Sequence, residues 1–293
     1  MSIIQAIEQT ENNAKSISAS VTQIRFYEHT LLKIDHPKCQ AAISLQGAHL
    51  LYWQPVNTPT PVIWLSNKTL FKKGTAIRGG IPICWPWFAN VSSPSHGFAR
   101  IVDWQMSQVI ETAEGVEIVF TLCNNQDTQQ YWPHAFELTM TFKLGTNCEA
   151  HLSCSGDFEA TSALHTYFGV DDISSVTISG LGDNYHEKLS TVNPPKVIGQ
   201  MTFDQEVDRI YSAAMPETLI TDSHRTLKVS HINNSDVVVW NPWVERAQAM
   251  NDLDDDSYQH FVCVETCRVT KPIQSTSTEK THFALKVEVT ASS

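Results

Sequence analysis

Short runs of alternating or β-branched residues, each closed by turn-forming residues, follow one another along almost the whole chain, while helical periodicity is nearly absent. The runs fall at residues 31–34, 41–44, 50–54 and 62–65, then at 104–111, 116–124, 136–144 and 148–155. Others follow at 163–170, 176–179, 226–231, 237–240 and 261–266, and a closing run covers 281–289. Residues 112–115, TAEG, supply a hairpin turn between two of them. Runs at this spacing predict an all-β fold, an antiparallel sandwich or barrel. At 293 residues the chain exceeds the usual domain size, but sandwiches and barrels reach this length as one unit. No repeat, low-complexity tract or linker divides it. Residues 1–20 read as a leader, a short helix or mobile, and 21–293 as a single domain; residues 192–196, with two prolines, read as a loop.

The balance of 20 Lys+Arg against 31 Asp+Glu gives a formal charge of -11, which argues against nucleic acid or an anionic membrane as the main partner. An anionic ligand would need a local basic site. Seven cysteines are scattered at positions 39, 84, 123, 148, 154, 263 and 267, an odd number without a CxxC pair, so neither a disulfide framework nor a zinc ribbon is indicated. The amino terminus has no basic region followed by an apolar run, and nowhere do eighteen apolar residues run together. These features predict a soluble cytoplasmic protein with reduced thiols.

The stretch IRGGIPICWPWFANVSSPSHGFAR, residues 77–100, departs from the strand pattern. It opens with Arg78 before Gly79 and Gly80, where the backbone can adopt angles closed to other residues, and ends with His96, Gly97 and Arg100. Pro82 and Pro86 stiffen its path, and Trp85, Trp87 and Phe88 offer flat apolar surface to a sugar ring or to a core.

Three later places carry polar groups that packing alone explains poorly. In SALHTYF, strand alternation puts Ala163, His165 and Tyr167 on one face and Leu164, Thr166 and Phe168 on the other, leaving His165 in an interior. In FVCVET, Glu265 ends a run apolar enough to be buried, where a carboxylate is costly unless paired or used. Asp208 and Arg209 interrupt β-branched neighbours in VDRIY. Each has a plain alternative: a hydrogen-bonded core histidine, a glutamate bridged to an arginine, a solvated turn.

The strings IRGGIPICWPWF, HGFAR, SALHTYF, DRIY, WNPW and FVCVET, in this order and at these separations, closely resemble the hexose-6-phosphate mutarotases (glucose-6-phosphate 1-epimerases), a branch of the aldose 1-epimerase group. The resemblance runs from about Leu50 to Arg268. It implies a large antiparallel β-sandwich, the galactose mutarotase-like supersandwich, with a sugar site on a concave sheet face. It further implies His165 as general acid and Glu265 as general base, Arg78 and Arg100 on the sugar phosphate, and His96 and Asp208 on ring or hydroxyl oxygens. Two departures bear on substrate range: residues 91–95, VSSPS, stand where relatives often carry a longer or glutamine-bearing segment, so that a contact made just before His96 is either missing or replaced by Ser95, and Arg246 follows Trp243 as a site residue or a surface charge.

Anomer exchange accounts for these residue types. Ring opening removes a proton from the C1 hydroxyl while delivering one to the ring oxygen, which calls for a base and an acid on opposite sides of one acetal centre. With ordinary values of about 4.3 for glutamate and about 6.5 for histidine, Glu265 starts ionised, and nearby negative charge tunes His165 towards its protonated form. No cofactor and no metal are expected. The expected partner is a small-molecule hexose 6-phosphate, with no nucleic acid and no membrane, and the chain is read as a monomer. Competing readings are a non-catalytic carbohydrate-binding module, which needs no acid–base pair, an aldose 1-epimerase for unphosphorylated sugars, and a glycoside hydrolase, which would pair Asp208 with Glu265 and leave His165 idle. Asp254, Asp255 and Asp256 read as a solvated turn, Cys263 as a buried thiol, and the Trp240–Trp243 turn as either a border of the sugar or a cap of the sheet.

Overall fold

Runs separated by tight turns pair antiparallel with their neighbours and build three sheets in the computed structural model, which describes residues 1–190, 199–212 and 214–291. With strands numbered in chain order, the first sheet is a meander of β1 (Lys15–Ser16), β2 (Val21–Phe26), β3 (His29–His36), β4 (Cys39–Ser44) and β5 (His49–Pro55). Helix α1 (Ile3–Gln9) lies on it. Ser2 and Gln5 cap the helix reciprocally, and Ile7 is buried against Ile24, Phe26, Leu31 and Tyr52.

The second sheet has eight strands in the order β13 (Thr177–Ser179), β16 (Glu217–Thr221), β17 (Arg225–Ile232), β20 (Thr281–Ala291), β10 (Cys148–Ser155), β9 (Glu137–Gly145), β8 (Gly115–Cys123) and β7 (Gln105–Thr112). Side chains alternate strictly along β8 to β10, burying Ile118, Phe120, Leu138, Met140, Phe142, Ala150 and Leu152 on one face. The third sheet runs β14 (Tyr185–Glu187), β15 (Val207–Tyr211), β18 (Asp236–Asn241), β19 (Phe261–Ser275), β11 (Phe158–Leu164) and β6 (Ile83–Cys84), with β12 (Tyr167–Gly169) also paired to β19. It sets Val237, Val239, Val262, Val264, Leu164 and Phe168 into the same core. Each such side chain contributes about 1.5–3 kcal/mol on full burial. Short helices α2 (Gln126–Tyr131) and α3 (Trp243–Gln248) sit in connections.

Because successive side chains point to opposite faces, the core-facing valines of β18 and β19 leave Val238, Cys263, Glu265 and Cys267 on the other face, beside Ala163 and Tyr167. Six of the seven cysteines are buried and none is bonded to another; Cys123 alone is exposed.

The architecture is the antiparallel sandwich expected from strand spacing, and the 112–115 turn joins β7 to β8. Three local readings differ. Residues 62–65 form isolated bridges to Trp53, Phe168 and Gly79 instead of a strand, since Val62 and Ile63 both donate to the single carbonyl of Trp53. The run 163–170 is cut at His165 and Thr166, where β11 gives way to β12 and the His165 N–H turns to the Pro82 carbonyl. Asp208 and Arg209 belong to a strand, β15, and not to a turn; Lys188 and Glu187 match their charges. The loop read at 192–196 lies outside the described residues.

Candidate active site

The core-averted face of the third sheet forms the floor of a cleft of about 260 Å³. Glu265, mid-strand in β19, stands opposite Val238 in register, and His165 rises from the gap between β11 and β12. Backbone bonds fix that gap on both sides: His165 N–H to Pro82, Tyr167 N–H to Gly80, and Val264 N–H to the Thr166 carbonyl. The imidazole Nε2 lies 3.3 Å from Glu265 Oε1, and the two residues are 8 % and 1 % exposed, so little water screens them. The ring of His165 stacks on Tyr167, with centroids 5.0 Å apart.

Burial opposes charge on both partners. It pushes the Glu265 carboxyl well above its ordinary range, with Asp208 adding to the rise, and the His165 imidazole well below its own, helped by His96, Arg100 and Arg78. The expectation that negative charge would favour protonated His165 is thus corrected for the ligand-free protein, because burial disfavours the imidazolium and His96, Arg100 and Arg78 add to that effect. The geometry also differs from an acid facing a base across the substrate. Adjacent strands bring the two groups side by side, which suits the two oxygens of an acetal, since both are bonded to the same carbon.

One wall is the 77–100 stretch. At Gly80, φ is +69° and a Cβ would stand 2.3 Å from the Leu50 carbonyl oxygen, so only glycine lets the chain after Arg78 press against β5. Arg78 Nε donates to Asp252 Oδ2 at 3.0 Å and Nη1 to the Tyr167 hydroxyl at 2.9 Å. Burial works against this guanidinium, yet Tyr167 and Asp252 together outweigh it and hold it firmly charged. Arg100 Nη2 donates to the Ser95 carbonyl at 2.8 Å; its Nε is buried without a partner, and among the described residues it forms no ion pair.

Between the arginines the chain folds back on itself. Trp87 Nε1 donates to the Pro94 carbonyl, Phe88 N–H to Thr161 Oγ1, and Gly97 packs so tightly on Trp85 that a Cβ would lie 1.9 Å from its carbonyl oxygen. His96 accepts the Ala89 N–H on Nδ1 at 3.3 Å, which leaves its proton on Nε2. Burial, then Arg100 and Lys188, lower its pKa to about 3, so this imidazole is a neutral donor.

The opposite wall comes from the sheet edge. Asp208 on β15 pairs in register with Trp240 on β18 and accepts from Lys188 Nζ at 2.7 Å. Burial raises the Asp208 pKa and Lys188 offsets part of that rise.

All six residues singled out from sequence, His165, Glu265, Arg78, His96, Arg100 and Asp208, line this one cleft. Trp240, Ser95 and the exposed Arg246 line it too, whereas Trp243 packs on Tyr258. Lys188 and Asp252 were not read from sequence. Lys188 lies in a polar stretch without pattern, and Asp252 adjoins the acidic turn 254–256, in which Asp254 pairs with Lys68 at 3.4 Å. The signal available for Asp252 was the need of a buried arginine for a carboxylate. Three polar atoms of the cleft are buried without a partner, His165 Nδ1, Glu265 Oε2 and Arg100 Nε, an arrangement that favours a polar occupant.

Comparison with known proteins bears directly on this geometry. The family model described as aldose 1-epimerase matches residues 30–288. A protein of Escherichia coli strain K12, provisionally named a glucose-6-phosphate 1-epimerase, is 41 % identical over 281 residues, covering 94 % of this chain and 95 % of its own. Its similarly named counterpart in Salmonella typhimurium is 44 % identical over 260 residues, covering 87 % and 88 %. A crystal structure from Salmonella typhimurium, of the provisionally named mutarotase YeaD, superposes with a TM-score of 0.96 at 39 % identity, covering 99 % of this chain and all of that one. With the family matched over the sheets that carry the cleft, and relatives matched nearly end to end, the chain belongs to the aldose 1-epimerase family.

Proposed function

We propose that this epimerase is a hexose-6-phosphate mutarotase, interconverting the α and β anomers of glucose 6-phosphate and related aldohexose 6-phosphates. The observation that carries the reading is the His165–Glu265 pair, 3.3 Å apart on the floor of a cleft lined by Arg78, Arg100, Lys188 and Arg246. Relatives bearing the phosphate ester in their names support the substrate class.

The pair holds one proton. With that proton on His165, the imidazolium gives it to the ring oxygen while Glu265 takes the proton of the C1 hydroxyl, the C1–ring oxygen bond breaks, and an open aldehyde results. The pair ends with its proton on Glu265, the distribution burial favours. Rotation about C1–C2 presents the other carbonyl face; the ring hydroxyl then returns a proton to His165 and Glu265 protonates the carbonyl oxygen. Entry of a phosphate dianion offsets the Arg100 and Arg78 charges that add to burial in disfavouring imidazolium, and so readies His165 as the acid. Arg78 and Arg100 take phosphate oxygens. Neutral His96 donates to a ring or hydroxyl oxygen, and Asp208 accepts a sugar hydroxyl.

A carbohydrate-binding module has no use for the buried pair. A hydrolase reading would draw on Asp208, which is tied to Lys188. The test is anomer exchange by NMR on glucose 6-phosphate beside free glucose and galactose, with and without chelator. Fast exchange of the phosphate ester alone, insensitive to chelator, is expected. Exchange confined to free sugars would remove the phosphate assignment, and none on any sugar would leave a binding module.

A further inference from the structure

Lys188 has no part in the reading above beyond lending charge, yet its placement is specific. It follows β14 at the sheet edge, and its own N–H donates to the Asp208 carbonyl at 3.0 Å, so its backbone is fixed to β15. From there the side chain reaches inward: Nζ donates to Asp208 Oδ2 at 2.7 Å and sits 5.7 Å from the centroid of Phe88, whose ring in turn lies 5.0 Å from that of His96. The ammonium thus bridges the sheet edge and the 85–97 loop across the cleft mouth.

Charge matching separates the four cations. Asp252 matches Arg78 and locks its Nε, with Nη1 bound to Tyr167; Arg100 is anchored through a carbonyl; Arg246 is exposed on α3. Lys188 is the cation whose partner is itself a candidate sugar ligand. An ammonium on a four-carbon stem can rotate its three donors from one acceptor to another, which a planar guanidinium held at two points cannot. When a sugar hydroxyl reaches Asp208 and a phosphate reaches Arg100, the Lys188–Asp208 bond can be exchanged for two others: Lys188 to phosphate, Asp208 to hydroxyl. Each group keeps a polar partner, the ammonium a phosphate oxygen and the carboxylate a hydroxyl. An unphosphorylated sugar offers Lys188 no such exchange, and must compete with it for Asp208.

We propose that Lys188 is a specificity-determining residue, the mobile third cation of the phosphate site, which favours hexose 6-phosphates and holds Asp208 against free sugars. The inference rests on the hexose-phosphate reading, and the experiment separates the two. Exchange rates on glucose 6-phosphate and free glucose, and inhibition by inorganic phosphate, are measured for the wild type, Lys188→Met and Lys188→Arg, with folding checked by circular dichroism. In Lys188→Met, the ratio of kcat/KM for the phosphate ester to that for free glucose is expected to fall by about tenfold or more, as is phosphate inhibition, the loss of one charge-assisted bond. Lys188→Arg, which keeps the charge, recovers most of the phosphate inhibition. Equal losses on both sugars with unchanged phosphate inhibition would show that Lys188 only fixes Asp208, and would overturn the proposal. A wild type inactive on glucose 6-phosphate would instead overturn the functional reading itself.

Discussion

An acid–base pair sealed from solvent is easy to break and hard to replace. Each group supplies about a hundredfold to ten-thousandfold in general acid–base catalysis, so Glu265→Gln and His165→Ala are each expected to lose at least that in kcat while retaining the wild-type circular dichroism spectrum. Near-normal exchange in either folded variant would remove the mechanism. The pH profile offers a second check. His165 is depressed by burial and by His96, Arg100 and Arg78, and His96 has a pKa of about 3, so both imidazoles of the free enzyme stay neutral well below 6.5. The pair therefore accepts no second proton in mildly acidic solution, and it gives up its last one only above the ordinary carboxyl range. Values of kcat/KM, corrected for the ionisation of the phosphate ester, should not fall as the pH drops through the ordinary histidine value of about 6.5. A limb near 6.5 would contradict this. His165 and Glu265 were legible as residues because polar groups inside apolar runs stand out. Their protonation was not, because the cations that set it arrive from loops and strands remote in sequence.

Loops that carry cleft residues depend on backbone shapes that few residues permit. Gly97, at φ +75°, lies against the Trp85 carbonyl, and Gly97→Ala would force that contact apart and displace the turn that holds Phe88 and His96. A positive φ and the clash together are expected to cost at least about 1–3 kcal/mol, read as a lower urea midpoint with exchange activity lost. Retention of both would show that the turn is more plastic than its packing implies. Elements were legible where one face alone is buried: β8, β9 and β10 alternate cleanly because their other side faces away from the core. Where a segment is enclosed on both sides, as at 62–65, apolar content persists but the ladder does not, and sequence cannot tell the two apart. The break at His165 was hidden for a related reason, since SALHTYF keeps strand-like alternation across the two residues that leave the ladder.

At the scale of the molecule, we propose that residues 21–293 act as one domain and that the leader clasps it through α1. Ile7 is fully buried by the first sheet, and Ile3 and Ile4 pack beside it. Deleting residues 1–10 uncovers Ile24, Phe26, Leu31 and Tyr52, at about 1.5–3 kcal/mol per fully buried apolar side chain, and a melting temperature lower by several degrees is expected. An unchanged melting curve would mark the helix as dispensable. The sandwich itself was visible in strand spacing, and Arg78 and Arg100 as the cations of a chain of formal charge -11 came from the family resemblance, whereas Lys188, which joins them in the cleft lining, was not read. Burial governs the thiols. Cys263 and Cys267 flank Glu265 on β19 and Cys84 lies nearby; burial raises all three, Cys84 to about 12, so they persist as unreactive thiols under the site. Cys123, exposed at the end of β8 and absent from the cleft lining, is left as the accessible sulfur, a ready attachment point for a fluorophore or spin label in a catalyst that keeps its native sequence.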